Sequence, residues 1–160
     1  MTINKEELKK EFEWRFEEFK KESGLKLTLN ELEEEFNLYD SVFEQGFVRE
    51  NFFPQLGSKI VDYFRIWNNY LNSLIFPSPN NYLNQVEFKI FNSEKDKKEI
   101  WEVIKICMNV STKYSLVLLE KDIDSQSKFI EDSFYAWKNS VKPFLIKLIK
   151  KTNSSWNSDK

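Results

Sequence analysis

From Ser58 to Phe76 the chain reads SKIVDYFRIWNNYLNSLIF, and at about 100° per residue its apolar positions gather on one face. Ile60, Tyr63, Phe64, Trp67, Leu71 and Leu74 make that face, Tyr70 and Ile75 extend it, and Val61 and Ile66 widen its edges. Opposite them runs a polar stripe of Asp62, Arg65, Asn69, Asn72 and Ser73. So broad an apolar arc needs cover from several neighbours, which predicts the central helix, near residues 58–76, of a helical bundle.

The same periodicity organises the flanks. Leu8, Phe12, Phe16 and Phe19 share a face of a first helix from Lys5 to Glu22, with Asn4 and Glu7 at capping-box spacing and Gly24 just past its end. Thr28 and Glu31 form a second capping box. It starts a helix to Gln45 with Leu29, Leu32, Phe36, Tyr39 and Phe43 in phase and Gly46 as its stop. The segment Phe47–Pro54 is apolar without a period and reads as a buried connection or a short helical turn.

Pro77 and Pro79 end the central helix. Beyond them Val86, Phe88 and Ile90 alternate with polar residues as a short strand does, but no second strand is there to pair with it, so 77–92 reads as a loop or an extended segment. A fourth helix is expected from Ser93 to Glu120, facing inward through Ile100, Val103, Ile104, Cys107, Val110 and Tyr114. The fifth uses Phe129, Ile130, Phe134, Trp137, Val141 and Leu145, and its phase is the same on both sides of Pro143, which predicts a kink and not a break. The expected fold is all-α: a single-domain bundle of about five main helices over 1–151, with a flexible tail, 152–160.

Composition agrees with this picture. At 160 residues, 41% apolar and 31% charged, the chain has the size and balance of one folded domain, and only 3 Gly and 4 Pro favour helices over tightly turned sheet. Charge is unevenly spread. Residues 1–50 carry a net −6 and residues 93–160 a net +3, a gradient that neighbouring acidic and basic helices explain and that also suits orienting a partner. No segment has a secretory or membrane-spanning pattern, because the uncharged run from Ile66 to Val86 is interrupted by six asparagines, Pro77 and Pro79. Together with a lone cysteine, this points to a cytoplasmic chain.

Chemistry is constrained most by what the sequence lacks. It has no histidine, so His-dependent triads, His-ligated zinc and Glu-x-x-His di-iron sites are excluded, and it has no phosphate-binding glycine loop. Cys107 sits mid-face in the fourth helix as a small core residue. Glu31, Glu34 and Glu35 with Glu99 and Glu102 have the Glu-x-x-Glu spacing of all-helical Mg2+-dependent phosphohydrolases. Solvated helix charges account for the same residues, and no metal or other cofactor is favoured. Lys142, Lys147, Lys150 and Lys151, followed by Trp156, make a basic segment able to meet nucleic acid, while lysines are also the expected residues of a helix's last turn. Two further features suit binding. Trp14 projects among charged residues opposite Leu8 and Phe12, and Asp62, Arg65, Asn69 and Asn72 form either a polar groove or a structural network. The leading expectation is a non-enzymatic interaction or scaffold domain with a protein partner or a second copy of itself. A phosphohydrolase and a nucleic-acid-binding protein are the alternatives, and no membrane association is expected.

Overall fold

The computed structural model describes residues 4–158, and the chain is all-α, with no strand among the described residues. Helix α1 (Lys5–Ser23) begins where the Asn4 side chain accepts the backbone N–H groups of Glu6 and Glu7, at 3.2 and 3.5 Å, and ends at Gly24 in the left-handed conformation. Both ends follow the sequence signals.

The helix expected from Thr28 to Gln45 is divided. Its capping box is present, with the Glu31 carboxylate accepting the Thr28 N–H at 2.8 Å, but α2 (Leu29–Phe36) stops at Asn37 and α3 (Leu38–Gln45) starts afresh. Asn37 is left-handed at φ 47°, a conformation that asparagine tolerates better than most residues. Its amide donates to the Tyr63 hydroxyl, and the Glu33 carboxylate accepts the Tyr39 N–H at 3.0 Å. Burial raises the Glu33 carboxyl above its ordinary value.

Helix α4 (Phe52–Ile75) begins six residues before the expected Ser58, because Pro54 lies in its first turn, where no intrahelical N–H is required. The loop before it is tied down by Gln55, which is fully buried. The Gln55 side-chain Oε1 accepts the Arg49 N–H at 3.0 Å, and its side-chain amide donates to the Phe47 backbone carbonyl at 3.0 Å and to Gln45 Oε1 at 3.1 Å. A buried amide with all these bonds made meets the demand that burial imposes.

The segment read as loop or extended chain contains a helix instead, α5 (Tyr82–Ile90), capped by Asn81, whose side chain accepts the Asn84 N–H at 3.2 Å. No residue of α5 is buried, so its alternating apolar positions carried no information about a sheet. Helix α6 (Glu94–Glu120) starts as expected, with Ser93 Oγ accepting the Asp96 N–H at 3.1 Å. The last helix passes through Pro143 without breaking. Helix α7 (Ile123–Ala136) leads into a π-helical segment, Trp137–Val141, and then α8 (Lys142–Ser158). Within that segment the Lys142 N–H reaches back five residues to the Trp137 carbonyl. The widened turn lies directly before a proline that has no N–H of its own to give. Helix α8 runs to Ser158, past the expected end at Lys151, with Thr152 buried and donating to the Leu148 carbonyl at 3.1 Å. The last two residues of the expected tail, Asp159 and Lys160, lie outside the described residues.

The chain forms two compact units, one built from the residues up to Tyr63 with Val110–Tyr135, the other from Phe64–Asn109 with the residues from Ala136 onward. In the first unit, Phe53 of α4 meets Phe129 of α7 edge-on at 6.0 Å and stacks on Phe19 of α1 at 6.4 Å. Tyr114 of α6 packs against Phe129 at 5.6 Å. The Tyr114 ring lies on Gly57, where an added Cβ would come within 2.7 Å of it, and its hydroxyl donates to the Pro54 carbonyl at 3.1 Å. In the second unit Phe64 meets Trp137 edge-on at 5.7 Å, and Leu71, Leu74, Ile100, Cys107 and Leu145 are buried with them. Burial, followed by the nearby Glu87 charge, pushes the Tyr70 phenol above its ordinary value.

Candidate functional site

In the second unit, helix α4 makes its last backbone bond from the Phe76 N–H to the Asn72 carbonyl at 2.7 Å, and Pro77 follows. Phe76 therefore stands just beyond a helix end, with no further turn to cover it, and 69% of its surface is exposed. Glu94, Lys97, Lys98 and Trp101 share one side of α6, being spaced at zero, three, four and seven residues. Together with Ile75 and Phe76 they line an open groove of about 560 Å³.

Two aromatic rings and three charged side chains line the groove. Trp101 leaves 45% of its surface exposed. Lys97 is held between Glu94, at 3.9 Å, and the Phe88 ring of α5, at 5.8 Å. Lys98 has no ion pair or hydrogen bond among the described residues, so one cation of the rim stays uncompensated. Two exposed aromatic rings beside an unpaired ammonium can take an apolar side chain and a carboxylate.

The residues singled out from sequence fall elsewhere. Asp62, Arg65 and Asn69 of the polar stripe are exposed, and Asn72 is half-buried, its amide donating to the Asn68 carbonyl at 2.8 Å and to Asn68 Oδ1 at 3.1 Å. Trp14 is 52% exposed and lies under the Arg15 guanidinium, whose carbon is 4.8 Å from the ring centroid. Of the glutamates with Glu-x-x-Glu spacing, Glu31 serves the capping box, Glu99 pairs with Lys147 at 3.1 Å, Glu102 pairs with Lys105 at 2.8 Å, and Glu34 is exposed. No group of three or more acidic or cysteine side chains able to hold a metal ion occurs among the described residues.

The basic segment is partly neutralised. Lys147 meets Glu99, and Lys151 meets Asp96 at 2.8 Å while lying over the Phe91 ring at 5.1 Å. Burial pushes the Cys107 thiol up to about 12, which keeps it protonated and unreactive. Sequence reasoning missed the groove itself. The available signal was Trp101, a large aromatic just outside the inward phase of Ile100, Val103 and Ile104, together with a phenylalanine placed directly before Pro77.

Compared with protein-family models, curated proteins and solved structures, the chain matches none. Among the described residues, no helix is long and apolar enough to cross a membrane.

Proposed function

We propose that this chain is a non-enzymatic helical interaction domain that holds a partner protein at the Phe76–Trp101 groove. The observation that carries this reading is the pair of exposed rings on one open groove, since exposed aromatics in a concave apolar patch are the usual anchors of protein interfaces. The unpaired Lys98 defines the occupant: a segment that offers an aliphatic or aromatic side chain to the groove and an acidic residue to its rim.

A displayed library of random peptides, selected on the wild-type protein and counter-selected on the Phe76→Ala/Trp101→Ala variant, tests the proposal. An enriched apolar–acidic consensus that loses affinity on the double variant, and loses part of it on Lys98→Gln, supports it. A library with no consensus, or a consensus bound equally by both proteins, refutes it. Light scattering covers the remaining occupant. A concentration-dependent doubling of mass that Trp101→Ala abolishes would replace the partner with a second copy of the chain.

A further inference from the structure

Trp14 stands on the outward face of α1, whose inward face is fixed by the buried Phe12, Phe16 and Phe19. One turn before it lie Lys10 and Glu11, and one turn after it Glu17 and Glu18, all exposed. The three glutamates make no ion pair or hydrogen bond among the described residues. Of the exposed aromatic residues on the described helices, Trp14 alone has unpaired carboxylates on both sides. The acids beside Tyr135 are engaged, Glu131 with the Lys26 N–H at 2.8 Å and Asp132 with Lys113 at 3.6 Å. Tyr82 and Trp101 have no acid one turn away, and Trp156 has none among the described residues.

An aromatic side chain accompanied by free carboxylates is what the Phe76–Trp101 groove and its unpaired Lys98 are suited to receive. At 100° per residue, Glu11 and Glu18 fall on the same side of Trp14, about 60° and about 40° around the helix, so both can face one ammonium when the ring is inserted. The wider charge distribution acts in the same direction. Residues 1–50 carry a net −6 and residues 93–160 a net +3, which steers the α1 surface of one copy toward the α6 surface of another.

We infer that the occupant of the groove is α1 of a second copy of this chain, with Trp14 inserted between Phe76 and Trp101 and with Glu11 and Glu18 meeting Lys98. The inference rests on the reading of the groove as an interaction site and names its partner. The two surfaces differ, so one such contact leaves each copy with one surface unused. A second contact either closes a reciprocal dimer or extends a row of copies.

Two variants of the intact chain test the pairing by complementation. Trp14→Ala keeps the groove and loses the ring that enters it, whereas Phe76→Ala/Trp101→Ala keeps α1 and loses the groove. All three side chains are exposed, and thermal melts verify that the variants fold. In sedimentation velocity, wild type should gain mass with concentration, each variant alone should stay monomeric, and an equimolar mixture of the two should form a heterodimer. Lys98→Glu added to the Trp14→Ala chain should weaken that heterodimer about tenfold, and Glu11→Lys/Glu18→Lys on the other chain should recover part of the loss. A wild-type chain that stays monomeric up to about 1 mM would overturn the inference, as would variants that do not pair when mixed. Self-association that survives Trp14→Ala, or a heterodimer indifferent to Lys98→Glu, would overturn it too. The reading of the groove is judged separately: a peptide consensus lost on Phe76→Ala/Trp101→Ala upholds the groove even where the chain stays monomeric, and then its occupant is a foreign segment and not α1.

Discussion

Replacing Gly57 by alanine puts opposing effects at one position. In an open helix the change stabilises by about 1 kcal/mol, because glycine loses more backbone freedom on folding than alanine does. Here the new Cβ would sit 2.7 Å from Tyr114 Cε2 and 3.2 Å from Phe53 Cζ. Neither ring can move away freely. Both are buried, Phe53 packs on Phe19 and Phe129, and Tyr114 is anchored by its hydrogen bond to the Pro54 carbonyl. Overpacking of this kind costs about 1–3 kcal/mol, and displacing the Tyr114 hydroxyl loses about 1 kcal/mol more. The net expectation is a destabilisation of about 2 kcal/mol, seen as a fall of about 4–8 °C in the unfolding midpoint for a chain of this size. Circular dichroism melts and urea titrations of wild type, Gly57→Ala, Tyr114→Ala and the double variant measure it as a cycle. In the Tyr114→Ala background, where the ring is gone, Gly57→Ala should be neutral or stabilising. If Gly57→Ala stabilises the wild-type background too, the close approach of α4 and α6 at this point is not what retains the glycine.

Other expectations follow from single side chains. Leu148, buried beyond Pro143, should cost about 2–5 kcal/mol on replacement by alanine if α8 folds cooperatively with its unit, and an unchanged urea midpoint would show it to be detached. Ser23 is buried with an unsatisfied hydroxyl, so Ser23→Ala should raise stability by about 0.5–1.5 kcal/mol; a loss would reveal a partner for that hydroxyl. The Asp96 carboxyl is held below its ordinary value of 3.8 by hydrogen bonds from Lys151 and Ser93. Its contribution is therefore complete above that value and is lost as pH falls through the lower folded one. Between about pH 5 and about pH 2, the midpoint of wild type should fall more steeply than that of Asp96→Asn, and equal slopes would count against the Lys151 contact.

Much of the fold was legible because its signals are local. Asn4, Thr28 with Glu31, and Ser93 cap helices within three residues of themselves, and the apolar phase across Pro143 carried the last helix through. The departures depend on partners far along the chain or on surfaces with little burial. Asn37 breaks a helix whose apolar phase shows no interruption, and its amide is bonded to Tyr63, 26 residues away. Gln55 looks like any surface amide until the Phe47 and Arg49 backbone groups close around it. Helix α5 buries nothing, so hydrophobic period had no hold on it, and only Asn81 marked its start. For the candidate site, Trp14 was readable as exposed because its helical neighbours are charged. Phe76 and Trp101 lie 25 positions apart, and only folding brings the end of α4 beside the start of α6.

The π-helical turn before Pro143 bears on which changes of length the chain can accept. A π-helical turn is an α-helical one with a residue to spare, so deleting Asn139 or Ser140, both exposed, would tighten Trp137–Val141 to α-helix and leave Leu145 and Leu148 on their present faces. The same deletion within α7, at Asp132 for example, would rotate every later side chain by about 100°. Yet a tightened turn places Pro143 in an ordinary α ladder, where its ring meets the carbonyl four residues earlier. The spare residue and the proline are therefore a linked pair of insertions and substitutions: a shortened chain is accommodated best when Pro143 is exchanged in the same step.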